Sequence, residues 1–319
     1  MPVPHKIVFF GTPDLARRVL VSLADSPEFQ VVAAVCQPDR PVGRSQELTP
    51  PPVKAEAIVR KIPVFQPEKV RNNTEFFGEL RALGAEAFVV VAYGRILPKE
   101  LFAIPSKGCV NIHGSLLPKW RGASPIQFSL MAGETETGVT LMEMDEGLDT
   151  GAAIVTEIIQ IGEFETAGSL FEKFGAVCGP FTVRELPRYL RGELRAAAQD
   201  HAAATFTKIL SKEDGKLDFS LNARELFWRW KGLTPWPGVF GMLEGKKVIF
   251  EACDYVRGAG QNTAHAAETG RAGLSADGAM EVACGQGTLR VSRLKPEGKQ
   301  SMGPRDFFNG RAARQTLFS

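Results

Sequence analysis

Residues 87–92 read AFVVVA, apolar at every position. A strand with one wet face alternates apolar and polar residues, whereas one covered on both faces reads apolar throughout, as in a parallel sheet flanked by helices. Runs of the same kind stand at 7–10 and 31–36, and helical periodicity fills 14–23 between them. Strand and helix patterns keep alternating to about residue 190, with a last helical stretch at 166–190. The reading is a doubly wound, Rossmann-like α/β domain over 1–190, a class that binds ligands at the carboxyl ends of its strands.

The remainder is built differently. Residues 191–208 are polar and Ala-rich, with little to bury, and read as a linker. From 209 to 319, short runs such as VFGML, KKVIFEA, MEVAC and TLRVSRL are separated by Gly-rich turns, the signature of a small β-barrel or sandwich. One helix, at about 222–231, interrupts them, and the Gly/Ala-rich stretch 256–277 reads as a mobile loop. A chain of 319 residues suits two domains.

Net charge is +2, spread unevenly: 209–319 carries 16 Lys and Arg against 12 Asp and Glu. That excess suits a polyanionic partner without requiring one. No apolar run approaches the roughly 18 residues of a membrane span. The apolar stretch near the N-terminus is too short for a signal-peptide core, so a cytoplasmic location is expected. The five cysteines (36, 109, 178, 253, 284) form no C-x-x-C pair, and the four histidines are dispersed. No disulfide framework and no metal site is expected. Residues 37–53, QPDRPVGRSQELTPPPV, hold five prolines and no periodicity. That is long for an α/β loop and reads as functional, with Arg40 and Arg44 held between prolines.

The chemistry concentrates in GCVNIHGSLLPKWRGASPI at 108–126. Alternation puts Cys109, Asn111 and His113 on one strand face, and Gly114 lets the chain turn. A lone buried His is commonly a satisfied core residue. Paired with Asn111 at a strand end, His113 reads instead as functional. An amide and a protonated imidazole are both donors, and two donors aimed at one point stabilise the oxyanion of acyl transfer. Cys109, about 13 Å from His113 at strand rise, is too far to be its nucleophilic partner and reads as core. Lys119 and Arg121 around Trp120 suit either a clamp for a planar or anionic ligand or an ordinary surface loop. In GVTLMEMDEGLDTG (138–151) a short strand is followed by an acidic turn, and spacing alone leaves Asp145 and Asp149 both open as the proton acceptor.

NIHGSLLPKWRGASPI followed by GVTLMEMDEGLDTG closely resembles the 10-formyltetrahydrofolate-dependent formyltransferases. FFGTPDLA, QPDRPVGR with its sequel PPVK, VVAYGRILP, TKILSKEDGKLDFS, LTPWPGVF and LKPEGKQSMGPRDFFNG narrow the resemblance to members that formylate methionyl-tRNA. It covers nearly the whole chain and is weakest at about 255–285. It implies an OB-like C-terminal domain that contacts tRNA. It also implies transfer of formyl from 10-formyltetrahydrofolate to the α-amine of initiator methionyl-tRNA, by a monomer without a metal. Asn111 and His113 would polarise the formyl carbonyl, and the motif favours Asp149 over Asp145 as their partner. Ser115, Leu116, Leu117 and Pro118 would line the folate site. Tyr93, Gly94, Ile96 and Leu97 would border the pterin, and Arg40 and Arg44 would approach the tRNA acceptor stem. Two departures stand out: GRSQEL lacks the extra lysines frequent in the family, and Phe128 replaces an expected polar or basic residue. The alternatives are a formyltransferase acting on an amino sugar or other small amine, and a tRNA- or folate-binding module without catalysis.

Overall fold

The computed structural model describes residues 3–43, 46–256, 269–309 and 315–319. The chain divides into two compact units. The first comprises Met1–Pro125, Glu136–Gln160 and Phe171–Lys208; the second comprises Ile126–Thr135, Ile161–Leu170 and Ile209–Ser319.

The first unit is built on a seven-stranded sheet. Its strands are β1 (His5–Gly11), β2 (Phe29–Val35), β3 (Val64–Phe65), β4 (Ala87–Val91), β5 (Cys109–His113), β6 (Glu136–Glu143) and β7 (Ala153–Gln160). The order across the sheet is β7-β6-β5-β4-β1-β2-β3. From β5 to β3 every pairing is parallel, as the apolar runs predict. β6 runs antiparallel to β5, and β7 antiparallel to β6. The doubly wound sheet thus carries an antiparallel edge, and the short 144–152 connection can close only a hairpin between β6 and β7.

Helix α1 (Asp14–Asp25) buries Ala16, Val19, Leu20 and Leu23, one stripe at helical spacing, and packs along β1 and β2. Helix α2 (Thr74–Ala82) starts at Asn73, whose side chain accepts from the Phe76 N–H. Its Phe76, Phe77 and Leu80 join Val8, Phe10, Phe88 and Val90 in one apolar cluster.

The 37–53 segment is more ordered than its composition suggests. Arg40–Val42 pairs antiparallel with Glu47–Thr49, and a helix, Pro52–Val59, follows with proline at its start. A two-stranded ribbon is all edge, so Pro41 is tolerated in it. Arg44 lies outside the described residues. Residues 191–208 belong to the first unit, and the expectation that they bury little fails at Gln199, only 8% exposed.

In the second unit the strands are β8 (Val239–Leu243), β9 (Lys246–Tyr255), β10 (Arg271–Leu274), β11 (Met280–Ala283), β12 (Thr288–Pro296) and β13 (Gln315–Leu317). They form one antiparallel, OB-like sheet in the order β8-β9-β12-β11-β10-β13. Helix α3 (Ala223–Leu233) opens with a capping box between Asn222 and Glu225. It buries Leu226, Phe227, Trp230 and Leu233 with Phe250, Val282, Leu289 and Val291. Phe128 packs against the same cluster, which accounts for its apolar character. Of the stretch read as a mobile loop, Arg271–Leu274 is strand, and 257–268 lie outside the described residues.

Candidate active site

The catalytic candidates all lie in the first unit. β5 pairs with β4 on one side and β6 on the other, with Asn111 opposite Val90 and Met142 and His113 opposite Thr140. Because β6 is antiparallel, its last residue Glu143 pairs with Val110, so the 144–152 turn begins level with the start of β5. The turn then carries Asp149 back to Asn111 and His113. Asn111 Nδ2 stands 3.5 Å from Asp149 Oδ1, and His113 Nδ1 stands 3.7 Å from Asp149 Oδ2. Both separations exceed a well-formed hydrogen bond, as catalytic contacts commonly do before substrate draws them together.

His113 is 5% exposed, and its Nε2 is 3.0 Å from the carbonyl oxygen of Trp120. A carbonyl only accepts, so Nε2 carries a proton. Nδ1 then faces a carboxylate, and that edge is attractive when Nδ1 carries a proton too. Asp149 Oδ2 also accepts from the Gly122 N–H at 2.7 Å. Asp149 itself sits at φ 53°, left-handed backbone uncommon for a residue with a side chain.

Asp145 is used otherwise. Its Oδ1 accepts from the Thr150 hydroxyl at 2.6 Å and from the Gly147 N–H at 3.0 Å, closing the turn on itself. Cys109 is buried in the α2-side core, and burial pushes its thiol well above the usual range.

The loop after β5 is tied down at several points. The fully buried Ser115 hydroxyl donates to Lys119 O at 2.6 Å, and Ser115 O accepts from Thr140 Oγ1 at 2.6 Å. The Leu117 N–H donates to Thr140 Oγ1 at 3.2 Å, and the Leu117–Pro118 peptide is cis. Leu116, Leu117 and Pro118 remain partly exposed. Arg121 is not a surface clamp. It is 2% exposed and donates from Nε and Nη2 to Gln199 Oε1, at 3.1 and 2.7 Å.

At the end of β4, the backbone turns through Ala92 (φ 44°) and Gly94 (φ 79°). The Gln37 amide ties this turn down, donating to Tyr93 O at 3.0 Å and Gly94 O at 3.2 Å. The Tyr93 ring is 2% exposed, edge-on to Phe10, and burial raises its phenol to about 12. Leu97 is buried in the same cluster, whereas Gly94 is exposed and Ile96 is 89% exposed. Arg40 is exposed and donates to Gln37 Oε1 at 2.8 Å, so the hairpin and the Tyr93–Gly94 turn share one glutamine.

Sequence reasoning missed Gln199 and the Gly122 N–H. Gln199 stands alone in a polar stretch and has no local pattern, and a main-chain contact leaves no mark in residue type. Among the described residues no group of three or more His, Cys, Asp or Glu is placed to hold a metal. No described helix is long and apolar enough to cross a membrane.

The formyl transferase family model matches residues 5–178, and the model of the formyl transferase C-terminal domain matches 209–312. A methionyl-tRNA formyltransferase of Myxococcus xanthus (strain DK1622) is 44% identical over 305 residues, covering 96% of this chain and 95% of that protein. Another, from Sorangium cellulosum (strain So ce56), is 42% identical over 306 residues, covering 96% of each chain. Among solved structures, the N-formyltransferase from Helicobacter canadensis in complex with folinic acid and dTDP-3-aminofucose superimposes with a TM-score of 0.63 at 17% identity, covering 90% of this chain and 98% of that one. HypX from Aquifex aeolicus in complex with tetrahydrofolic acid gives 0.60 at 14% identity, over 96% of this chain and 47% of its own length. At such identities the likeness is one of fold. With both family models matched in order and relatives above 40% identity along nearly its whole length, the chain belongs to the formyl transferase family.

Proposed function

We propose that this chain transfers a formyl group from 10-formyltetrahydrofolate to the α-amino group of methionyl initiator tRNA. The observation that carries the reading is whole-length similarity to proteins named methionyl-tRNA formyltransferase, through the C-terminal domain as well as the catalytic one. The Asn111–His113–Asp149 geometry supports the chemistry. The new bond joins the amine nitrogen to the formyl carbon, and the bond to folate N10 breaks. Negative charge develops meanwhile on the formyl oxygen. Asn111 Nδ2 and a protonated His113 Nδ1 are donors on the edge where that oxygen is stabilised. Asp149 faces the imidazole and takes the proton the amine sheds, passing it to the departing N10. An aminoacyl ester amine is partly neutral near neutral pH, so orientation and oxyanion stabilisation carry most of the rate.

The residues at the end of β4 suit a folate. Ile96 leaves a large apolar surface exposed beside a turn whose Tyr93 and Gly94 carbonyls are held by Gln37. When bound, the folate supplies the formyl carbon and the N10 leaving group. Ile96 and Gly94 would border the pterin directly, with Tyr93 and Leu97 backing them from the core. Ser115, Leu116, Leu117 and Pro118 would line the approach to the formyl group. Arg40 and Arg44 would meet the acceptor stem. We read the enzyme as a cytoplasmic monomer.

The test is formyl transfer by the purified protein, comparing charged initiator methionyl-tRNA, charged elongator methionyl-tRNA and a nucleotide-linked amino sugar. Formylation of the initiator alone is expected. Transfer only to the sugar would keep the trio and replace the substrate.

A further inference from the structure

Gln199 and Arg121 are fitted to each other and to the Asp149 turn, and the Gln199 amide has no valence left over. Gln199 Oε1 receives Arg121 Nε and Nη2, and Gln199 Nε2 donates to Asp149 O at 2.9 Å and to Gly151 O at 2.7 Å. Both lone pairs and both N–H groups of the amide are used. The amide orientation is forced, because turning it over would set donors against the guanidinium and an acceptor against two carbonyls.

Arg121 is anchored at the other end as well, with Nη1 3.2 Å from His201 Nδ1. A guanidinium only donates, so His201 Nδ1 is the acceptor. Among the described residues no carboxylate pairs with Arg121, a buried cation satisfied by neutral groups alone. Such a group holds its place strictly, since losing any one partner leaves a buried charged donor without an acceptor. Its neighbours in sequence touch the site: Trp120 O meets His113 Nε2, and the Gly122 N–H meets Asp149 Oδ2. A closed circuit results. It runs from the Asp149 carboxylate to Gly122, along one residue to Arg121, across to Gln199, and back to the Asp149 carbonyl.

Asp149 needs such support. Its left-handed φ of 53° persists where the surroundings hold it. Gln199 grips the turn on both sides of Thr150, at the carbonyls that fix the Asp149 conformation. We propose that Gln199, held by Arg121, is a positioning residue that sets the Asp149 carboxylate against His113 and Asn111. The proposal rests on the catalytic role of Asp149 stated above.

The experiment is a double-mutant cycle on the full-length protein, with kcat and KM for methionyl-tRNA and 10-formyltetrahydrofolate measured per folded enzyme. Gln199→Met removes every polar interaction of the amide. Gln199→Glu keeps the acceptor for Arg121 but sets a carboxylate against the two carbonyls, and it serves where the Met variant does not fold. Either change is expected to lower kcat about 10- to 100-fold in the parent with KM within about threefold, because geometry and not binding is lost. In an Asp149→Asn background the same change is expected to cost less than about twofold. An equal loss in both backgrounds would show that Gln199 acts elsewhere. Wild-type kcat for Gln199→Glu would overturn the proposal directly. Full activity of Asp149→Asn alone would remove the role of Asp149 itself, a failure visible before Gln199 is touched.

Discussion

The Thr150 hydroxyl donates to Asp145, one turn away from the carboxylate that faces the imidazole. In the proposed reaction Asp145 and Asp149 thus divide the acidic turn between shape and chemistry. Asp149→Asn is expected to lower kcat at least about 100-fold, the usual scale for a lost general base. Asp145→Asn is expected to cost about 1 kcal/mol of stability and less than about threefold in kcat. Steady-state kinetics beside a urea titration separate the two.

Asn111→Ala and His113→Ala are each expected to reduce kcat about 10²–10³-fold with the fold intact, as loss of an oxyanion donor does. Near-normal turnover in a variant with a native circular dichroism spectrum would remove the residue from the reaction.

Gly151 has a steric reason to be glycine. A Cβ there would stand 2.0 Å from Glu143 O, a main-chain atom that cannot move aside. Gly151→Ala is expected to destabilise the protein by about 1–3 kcal/mol, the range of other overpacked sites, and to reduce activity in the surviving folded fraction. A melting temperature within a degree of wild type would contradict that clash.

Replacing Arg40 or Arg44 with Ala is expected to weaken tRNA binding and lower the slope of log K against log salt by about one unit or slightly less for each phosphate no longer neutralised. A filter-binding series in potassium chloride reads this directly. An unchanged slope would place the hairpin away from the phosphates. Arg40 also holds Gln37, so KM for the folate should be followed in the same variant.

Burial raises the Cys36 thiol to about 11 and Cys178 to about 12, and lifts Cys109 and Cys253 as well. The native state therefore keeps these protons where the unfolded chain has released them. Their contribution to stability is complete below about pH 9, the ordinary value, and declines as pH climbs toward 11. At pH 8 a maleimide reagent is expected to label native protein far more slowly than urea-unfolded protein. Rapid labelling of Cys109 would reopen the thiol as a nucleophile.

The parallel half of the sheet was legible because a strand covered on both faces must be apolar throughout, and 7–10, 31–36 and 87–92 say so without context. The placement of Asn111 and His113 near the end of one strand was legible through alternation along β5. The direction of β6 was not, since its pattern reads the same either way and its short link to β7 fixes only that those two strands run antiparallel. The Pro-rich 37–53 segment hid a hairpin because a two-stranded ribbon needs no apolar pattern. Gln199 was hidden for another reason: its partners lie 78 and 50 residues away in the chain, and a buried amide looks like any other Gln until they meet.

The site leans on main-chain atoms. Trp120 supplies a carbonyl to His113, and Gly122 supplies an N–H to Asp149. No alanine replacement deletes either group, so an alanine scan through 120–122 passes over two of the closest contacts that His113 and Asp149 make. What such a scan registers there is tolerance of backbone shape, at a Trp120 with φ 60° and a Gly122 with φ 114°. Replacing single amides with esters by chemical synthesis would expose the contribution that genetics leaves silent. The Arg121–Gly122 ester removes the Gly122 N–H that meets Asp149 and alters no side chain.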